Sequence, residues 1–310
     1  MVTRRSGLFN RISAGDKVFD IVNVIFMSLF MLIMLYPLYY TIIASLSDIT
    51  QVGLGNVYLL PKGFSLDAYI QIFNHPAIWT GYKNSILYAV LYVLYNLAIM
   101  LPVAYILSKK QLFGRNVLTT YFLITMYFGG GMVPSYLLIT QTLKINNTVW
   151  VMVLGALSVY NMVVTRIFFT TSIPDELYES AEMDGANQFS RFFRIALPLS
   201  TPIIAVQALF FTVYSWNSYF GALLYINKSD MYPLQLVLRS ILIMNERLNA
   251  NPELLAQLSP EQLADIEIRT RLAESMKYST IFIGSAPLLI AYPFVQKYFV
   301  KGMLIGSLKG

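Results

Sequence analysis

Cysteine is absent from the 310 residues of this sequence, and histidine occurs once, at His75. The lack of cysteine excludes a disulfide framework, a thiolate metal site and a cysteine nucleophile. One imidazole cannot build a histidine-rich metal centre, so we interpret His75 as an ordinary surface residue. Charged residues make up only 12% of the chain, about half of the roughly 25% found in soluble domains. This composition excludes large aqueous surfaces and a long disordered tail.

Short motifs of catalysis and nucleotide binding are missing as well. The sequence contains no Gly-x-x-x-x-Gly-Lys-[Ser/Thr] loop, no His-Glu-x-x-His pair and no Gly-x-Ser-x-Gly elbow. We therefore predict no catalytic residue, no metal site and no cofactor in this chain, and we interpret it as a protein that is not an enzyme.

Hydrophobic residues make up 56% of the sequence and are concentrated in long uncharged stretches. A stretch of about 18 or more apolar residues can cross the roughly 30 Å hydrocarbon core of a bilayer as a helix. Six stretches qualify and contain no Asp, Glu, Lys, Arg or His: 21–46, 85–107, 117–139, 148–165, 199–226 and 278–296. The predicted fold class is therefore an all-α integral membrane protein with six transmembrane helices.

Lysine and arginine are distributed unequally between the two ends of these spans. Thirteen of them lie on the side that carries both termini, whereas the short loops on the other side contain only Lys62, Lys83 and Lys144. Loops rich in Lys and Arg remain in the cytoplasm. Both termini are thus predicted to be cytoplasmic, with membrane lipid around the spans. The asymmetry accounts for the net charge of +6 without a nucleic-acid partner.

This topology divides the chain into three parts. A cytoplasmic N-terminal segment (1–17) precedes a six-helix body (18–300), and a cytoplasmic tail (301–310) follows it. The external segment 47–84 is rich in turn residues and aromatics, and it is too long to be a simple connection.

The second long external segment, 227–277, has helical character. Residues 234–244 are predicted to form a helix, and 259–262 has the pattern of a helix start, with a capping serine followed by proline. The segment is either a helical cap that contacts an external partner or a solvated spacer.

The cytoplasmic segment 172–198 has the pattern of two short helices. A capping hydroxyl at Ser172 and the acids that follow it predict a helix over 174–184. Gly185 interrupts this helix. A second helix is predicted over 187–196, with Pro198 as its stop.

The apolar residues of the second helix recur at helical spacing and predict a single apolar face: Phe189, Phe192, Phe193 and Ala196. A kinked amphipathic helix pair of this kind is suited to docking against a protein. Lying flat on anionic lipid is disfavoured, because five acids precede the glycine.

Residues 179–198 resemble the EAA motif of ABC importer permeases, which reads Glu-Ala-Ala, three residues, Gly, nine residues, Ile-x-Leu-Pro. Six positions match at the required spacing: Glu179, Ala181, Gly185, Ile195, Leu197 and Pro198. Ser180 departs from the pattern by replacing the second alanine. The likeness covers almost the whole chain, including 128–134 and 301–310. The sequence resembles the maltose-type sugar permeases, and more narrowly the permeases for complex plant-wall oligosaccharides.

The resemblance implies the transmembrane subunit of a type I, binding-protein-dependent ABC importer in a bacterial cytoplasmic membrane. Such a subunit pairs with a homologous second permease and with two ATPase subunits, which bind the ATP and Mg²⁺. An extracellular or periplasmic sugar-binding protein delivers the carbohydrate substrate.

In this family the EAA helix pair seats in a cleft of the ATPase. That role is carried over to Glu179, Ala181 and Gly185, and we extend it to their neighbours Asp184, Ala186 and Phe189. A bulky residue at Gly185 is expected to fill the turn between the two helices. The tail 301–310 is a lesser candidate for contact with the ATPase.

Neutral polar and aromatic side chains in the fourth and fifth spans suit a path for sugar. The candidates are Tyr160, Asn161, Gln207, Trp216 and Asn217, accompanied by Tyr214 and Tyr219. The same side chains equally suit contacts between helices. Residues 129–131 and Pro134 predict a break in the third span, facing protein or a cavity.

The six spans contain no charged side chain with which an ion gradient could be coupled to transport. This favours energy supplied by a separate ATPase. The alternative interpretation is an ion-coupled or passive solute transporter whose cytoplasmic hairpin binds a different partner.

Overall fold

The structure is a computed structural model that describes residues 14–249 and 276–290. Within those residues every regular element is helical. In chain order they are α1 (Ala14–Ser45), α2 (Ile49–Gly53), α3 (Asp67–Asn74), α4 (Pro76–Ser108), α5 (Arg115–Tyr127), α6 (Met132–Leu137), α7 (Trp150–Val153), α8 (Val159–Thr171), α9 (Asp175–Met183), α10 (Gln188–Arg191), α11 (Leu197–Leu199), α12 (Thr201–Asn217), α13 (Phe220–Tyr225), α14 (Leu234–Asn249) and α15 (Met276–Ile290). The predicted helix start at 259–262, the tail 301–310 and the end of the sixth span lie outside the described residues.

Two predicted spans are unbroken helices. α1 and α4 contain 32 and 33 residues, and both are long and apolar enough to cross a membrane. Two bent helix pairs would bring the number of spans to four if each pair formed one span. The six-span topology stays a prediction.

The third predicted span is broken, as the glycines of 129–131 indicate. α5 ends at Tyr127, and the chain turns by 105° before the helical stretch that begins with α6. Gly131 adopts φ +84°, a conformation that glycine accepts without a steric penalty. A π turn, Leu138–Thr142, continues α6.

The prediction of one continuous helix over 148–165 is wrong. α7 ends at Val153, residues 154–158 are extended, and α8 then continues past Arg166 to Thr171. Gly155 disfavours helix by about 1 kcal/mol relative to alanine, and Ser158 takes extended dihedral angles at the N-cap of α8. Hydropathy cannot reveal this break, because every residue around it is uncharged.

The fifth predicted span also divides. α12 ends at Asn217, Ser218 is extended, and α13 begins at Phe220. At the other end, α12 is bent by 78° from the helical stretch Gln188–Leu199.

The core of residues 73–249 is built around α4, which packs against α8, α12 and α14. Met100 and Tyr105 of α4 form one buried cluster with Phe169 of α8, Phe211 of α12 and Phe192 of the hairpin that begins with α9 and α10. The hairpin is therefore continuous with the apolar core and does not hang free from it.

The first turn of α14 and the residues before it pack against the N-terminal part of α4 and are hydrogen-bonded to it. Leu234 is fully buried, and its N–H donates to Oγ of Ser85 at 2.8 Å. Asn84 donates to the carbonyls of Asp230 and Tyr232, and Tyr88 donates to the carbonyl of Met231. The helix predicted at 234–244 is confirmed, and its beginning is a packing element and not a solvated spacer.

Residues 47–66 fold back along the end of α1. Asp48 caps α2 by accepting from the N–H groups of Thr50 and Gln51, and its own N–H donates to the carbonyl of Lys62 at 3.0 Å. Tyr36 donates from its hydroxyl to the carbonyl of Tyr58. The turn-rich character predicted for this segment is thus part of an ordered structure.

Candidate functional site

The hairpin turns at Gly185, as predicted. Gly185 has φ +79°, which favours glycine because a Cβ strains this conformation. The N–H of Gly185 donates to the carbonyl of Glu182 at 3.0 Å, and the N–H of Ala186 donates to the carbonyl of Ala181 at 2.8 Å. These two bonds form the glycine-based Schellman cap that ends α9. A Cβ on Gly185 would have no atom within 4 Å in the described residues, so within this chain the constraint on this position is the dihedral angle. The expectation that a bulky residue fills the turn stays a prediction.

The two helices of the hairpin begin in different ways. The prediction that Ser172 caps the first helix is wrong, because Ser172 ends α8 and Pro174 occupies the N-cap of α9. Asp175 and Glu176 lie in the first turn of α9, where the helix dipole favours acids. Asn187 caps the second helix by accepting from the N–H of Ser190 at 2.8 Å.

The second helix does not stop at Pro198. A π turn, Phe192–Ala196, extends α10 and leads into α11, which ends at Leu199. The N–H of Leu197 donates to the carbonyl of Phe192, and Pro198 follows within the first two positions of α11. Pro198 therefore lies within a continuing helical stretch, which ends one residue later at Leu199.

The predicted single apolar face of the second helix is split in two. Phe192 and Ala196 are buried, and the Phe192 ring lies 5.0 Å from the ring of Tyr105 on α4. Phe189 and Phe193 remain 76% and 61% exposed. The neighbouring helix covers only one stripe of the apolar surface, so the second stripe is open to a partner.

The exposed tip of the hairpin combines acids with apolar groups. Glu179, Asp184 and Phe189 are exposed, whereas Ala181 and Ala186 are partly covered. Met183 is 88% exposed. The residues assigned to ATPase coupling thus lie together around the Gly185 turn, on a surface that is free in this chain.

A buried arginine ties the two helices together. Arg191 is only 9% exposed, and its Nη1 donates to Oε2 of Glu182 at 2.8 Å. Its Nε has no hydrogen-bond partner within the described residues. The sequence did not single out Arg191, whose burial follows from contacts that residue spacing does not show.

The end of α4 also holds the hairpin. Nζ of Lys109 lies 3.0 Å from the centre of the Tyr178 ring and 4.7 Å from that of Tyr105, which places the cation on two aromatic faces. Burial, opposed by the charge of Asp175 and reinforced by that of Arg191, lowers the pKa of Lys109 to about 8. Burial raises the pKa of the Tyr178 hydroxyl.

The base of the hairpin carries an apolar groove of about 400 Å³. Its lining includes Pro102, Ile106, Leu112, Phe189 and Phe192. On another side of the hairpin, a narrow polar cleft contains Lys109, Glu179 and Arg191. The hairpin therefore offers both apolar and charged surfaces close to Glu179.

The candidates for a sugar path fall into two groups. Tyr160 and Asn161 line a space of about 430 Å³, here called the hollow, whose lining is Tyr92, Ala156, Ser158, Tyr160, Asn161, Phe210, Phe211 and Tyr214. Tyr92 and Ser158 were not singled out from the sequence, because nothing local distinguishes them from other polar residues in helices.

The other candidates make contacts between or within helices. Gln207 is fully buried and donates to the carbonyl of Asn161 at 3.4 Å. Trp216 is buried and donates to the carbonyl of Gly284 at 2.9 Å. Asn217 is exposed and donates to the carbonyl of Val213 in its own helix. No cluster of three or more His, Asp or Glu side chains suited to a metal ion occurs in the described ranges.

Comparison with known proteins identifies the family. The model for the inner membrane components of binding-protein-dependent transport systems matches residues 76–304. The chain belongs to this family. Protein LplC of Bacillus subtilis is 37% identical to this permease over 297 residues, which cover 96% of each chain.

Two further comparisons cover nearly the full length. The polygalacturonan/rhamnogalacturonan transport system permease protein YtcP of Bacillus subtilis is 34% identical over 296 residues, 95% of this permease and 99% of that protein. The crystal structure of a bacterial ABC transporter involved in the import of the acidic polysaccharide alginate matches with a TM-score of 0.80 and 30% identity, over 93% of this chain and 99% of that one. The resemblance carried by residues 179–198 is confirmed, and the permease is an inner-membrane component.

Proposed function

We propose that this permease is one of two transmembrane subunits of an ATP-driven importer that passes an oligosaccharide from an external binding protein into the cell. Two of the similar proteins support a saccharide substrate by their names: YtcP and the alginate transporter. ATP and Mg²⁺ would be bound by two separate ATPase subunits, and the second transmembrane subunit would be a homologous permease.

The observation that carries the proposal is the construction of the hairpin. Its inner stripe is buried against α4, its turn is fixed by the Schellman cap at Gly185, and Glu179 is exposed beside it. A rigid element that projects charged and apolar groups from the core can transmit movement of a bound ATPase to α4 and α8. We propose Glu179, Ala181, Asp184, Gly185, Ala186 and Phe189 as the contact with that ATPase.

The topology is part of the same proposal. Six spans with both termini inside would place the hairpin in the cytoplasm and α14 at the external face. The polar and aromatic groups of α8 and α12 would then lie at the depth of the membrane, where Tyr160 and Asn161 border the hollow.

The first experiment tests coupling with a matched pair of variants. Glu179→Lys should abolish ATP-dependent uptake into sealed vesicles while the protein still inserts, because a reversed charge at a docking surface opposes binding. Glu176→Lys, an equal reversal on the same helix, should retain most uptake. Equal uptake by both variants would remove Glu179 from the docking surface.

A second experiment separates the proposal from an ion-coupled transporter. The tagged permease should co-purify with a P-loop ATPase and a second permease. Uptake should require ATP on the cytoplasmic side and persist when ionophores collapse the proton and sodium gradients. Loss of uptake under the ionophore, with ATP present, would instead support ion coupling.

The external segment needs a narrower test than removal of all of 227–277, because Leu234 is buried against α4. Replacing only 250–275 by a short linker should lower the ATP hydrolysis stimulated by the binding protein and spare the basal rate. Unchanged stimulation would show that 250–275 is a spacer.

A further inference from the structure

The hollow adjoins the break in the fourth predicted span. Ala156 and Ser158 of the extended segment 154–158 line it, and a Cβ on Gly155 would lie 3.7 Å from Cε2 of Tyr92. Its volume of about 430 Å³ falls within the roughly 300–1,000 Å³ of small-molecule sites. The break in the helix and the space beside it therefore form one feature.

The extended segment leaves backbone groups unpaired. The N–H groups of Gly155, Ala156 and Leu157 have no hydrogen-bond partner in the part of the chain that the structure describes. Non-helical backbone at membrane depth is tolerated only where it is buried in protein or lines a water-filled cavity. Of these three residues Ala156 lines the hollow, so its N–H group is available to a polar ligand there.

Aromatic rings form another wall of the hollow. Tyr214 stacks on Tyr92 with ring centres 5.5 Å apart and 24° between planes, and Phe211 meets Tyr92 edge-on at 6.1 Å. Tyr214 and Tyr160 are both exposed, so a ligand can reach their ring faces. Asn161, Ser158 and Tyr160 add hydrogen-bonding groups. Every lining side chain in the described residues is uncharged.

We propose that the hollow is a subsite for one uncharged pyranose unit of the transported oligosaccharide, stacked on Tyr214 and hydrogen-bonded by Asn161 and the N–H of Ala156. This inference rests on the proposed import of an oligosaccharide. The C–H face of a pyranose is apolar, and the electron-rich face of an aromatic ring attracts its hydrogens. The ring hydroxyls pair with the N–H of Ala156 and with the side chain of Asn161. A uronate unit is disfavoured, because no lining cation in the described residues would pair with its carboxylate.

The test uses the complete transporter with its binding protein in proteoliposomes. A panel of labelled trisaccharides, composed of neutral hexoses, of hexuronates or of both in alternation, is screened for ATP-dependent uptake. We expect uptake of a neutral or alternating member. The absence of uptake for the whole panel would count against the proposed function itself. Uptake confined to the all-uronate members would overturn the assignment of an uncharged unit while leaving the import function intact.

The best-transported trisaccharide is then used with variants of Tyr214. Tyr214→Leu removes the stacking ring and should raise the KM for uptake roughly tenfold, equivalent to about 1.4 kcal/mol of binding free energy. Tyr214→Phe keeps the ring and should stay close to the wild-type KM. Tyr127→Leu is the matched control, because Tyr127 is exposed and does not line the hollow.

Two results would overturn the subsite. An unchanged KM in Tyr214→Leu would show that Tyr214 does not contact the sugar. Loss of the second permease from the purified Tyr214→Leu complex would show that the hollow is instead a contact between subunits. Stimulation of ATP hydrolysis by the binding protein is measured in parallel and should persist, which separates loss of sugar contact from loss of coupling.

Discussion

Arg191 donates from Nη1 to Oε2 of Glu182 at 2.8 Å, across the turn that separates α9 from α10. The guanidinium is almost buried and the carboxylate is about 60% exposed. The pair spans the Schellman cap at Gly185, so the angle between the two helices is held by the backbone and by a side-chain contact. This arrangement fixes where Glu179 and Phe189 point in the proposed docking surface.

Breaking the pair should weaken the hairpin. Glu182→Ala leaves a buried guanidinium without its carboxylate, and we expect a loss of about 1–3 kcal/mol in stability of the purified complex, below the full cost of a buried pair because Glu182 is partly solvated. Stimulated ATP hydrolysis should fall with it. The exchanged pair, Glu182→Arg with Arg191→Glu, should recover part of both in a double-mutant cycle.

The ion pair of Lys110 and Asp175 is the matched control for that cycle. Its side chains are 74% and 68% exposed, and its N–O distance is 3.3 Å. Exposed pairs contribute about 0–1 kcal/mol, so Asp175→Asn should change stability little. If Asp175→Asn lowered stability as much as Glu182→Ala, the burial of Arg191 would not explain the effect of breaking its ion pair.

Substitutions of Gly185 should act through its dihedral angle. Gly185→Ala should lower stability by about 1–2 kcal/mol, the cost of a left-handed conformation for a residue with a Cβ. Gly185→Asn should cost less, because asparagine adopts this conformation more readily. Thermal unfolding of the purified complex measures both. Equal losses for Ala and Asn would indicate a steric limit imposed by the partner and not by φ.

The pH dependence of stability should report the burial of Lys109. Its pKa is about 8 in the folded protein and near 10.5 when free. Between these values the unfolded chain holds a proton that the folded chain has lost, so this side chain should make stability rise with pH from about 8 to 10.5. Below pH 8 both states are charged and the cost of burying the ammonium group is fully present.

Lys109→Met should flatten that rise in unfolding temperature, measured from pH 7.5 to 10. Lys110→Met removes an equal charge from the next residue, which is exposed, and serves as the control. A rise that persists unchanged in Lys109→Met would assign the pH dependence to another group.

The contact between α4 and α14 gives a test of the packing around Leu234. A Cβ on Gly81 would lie 3.0 Å from Cα and 3.2 Å from N of Leu234. Gly81→Ala should therefore destabilise the permease by about 1–3 kcal/mol through overpacking, although alanine favours helix by about 1 kcal/mol. Gly53→Ala, where nothing lies within 4 Å, should be neutral. Unchanged stability in both variants would show that α14 moves away from α4 without a loss of stability.

Features that depend on neighbouring residues in the chain were predictable. The uncharged stretch 21–46 is long enough to span a bilayer whatever it packs against, and α1 confirms the helix. Gly185 between two amphipathic segments predicts a left-handed cap, since the dihedral preference of glycine is a local property. The break in the third predicted span has the same local origin, since Gly131 adopts φ +84° there.

Which of these residues meet depends on the packing of the helices. The spacing of Phe189, Phe192, Phe193 and Ala196 predicts one apolar face, yet α4 covers only one stripe of it. The break at 154–158 and the hollow beside it likewise could not be predicted from a run of uncharged residues. Local dihedral preferences and hydropathy depend on adjacent residues. Burial depends on side chains that are distant in the sequence and that come together only when the helices pack.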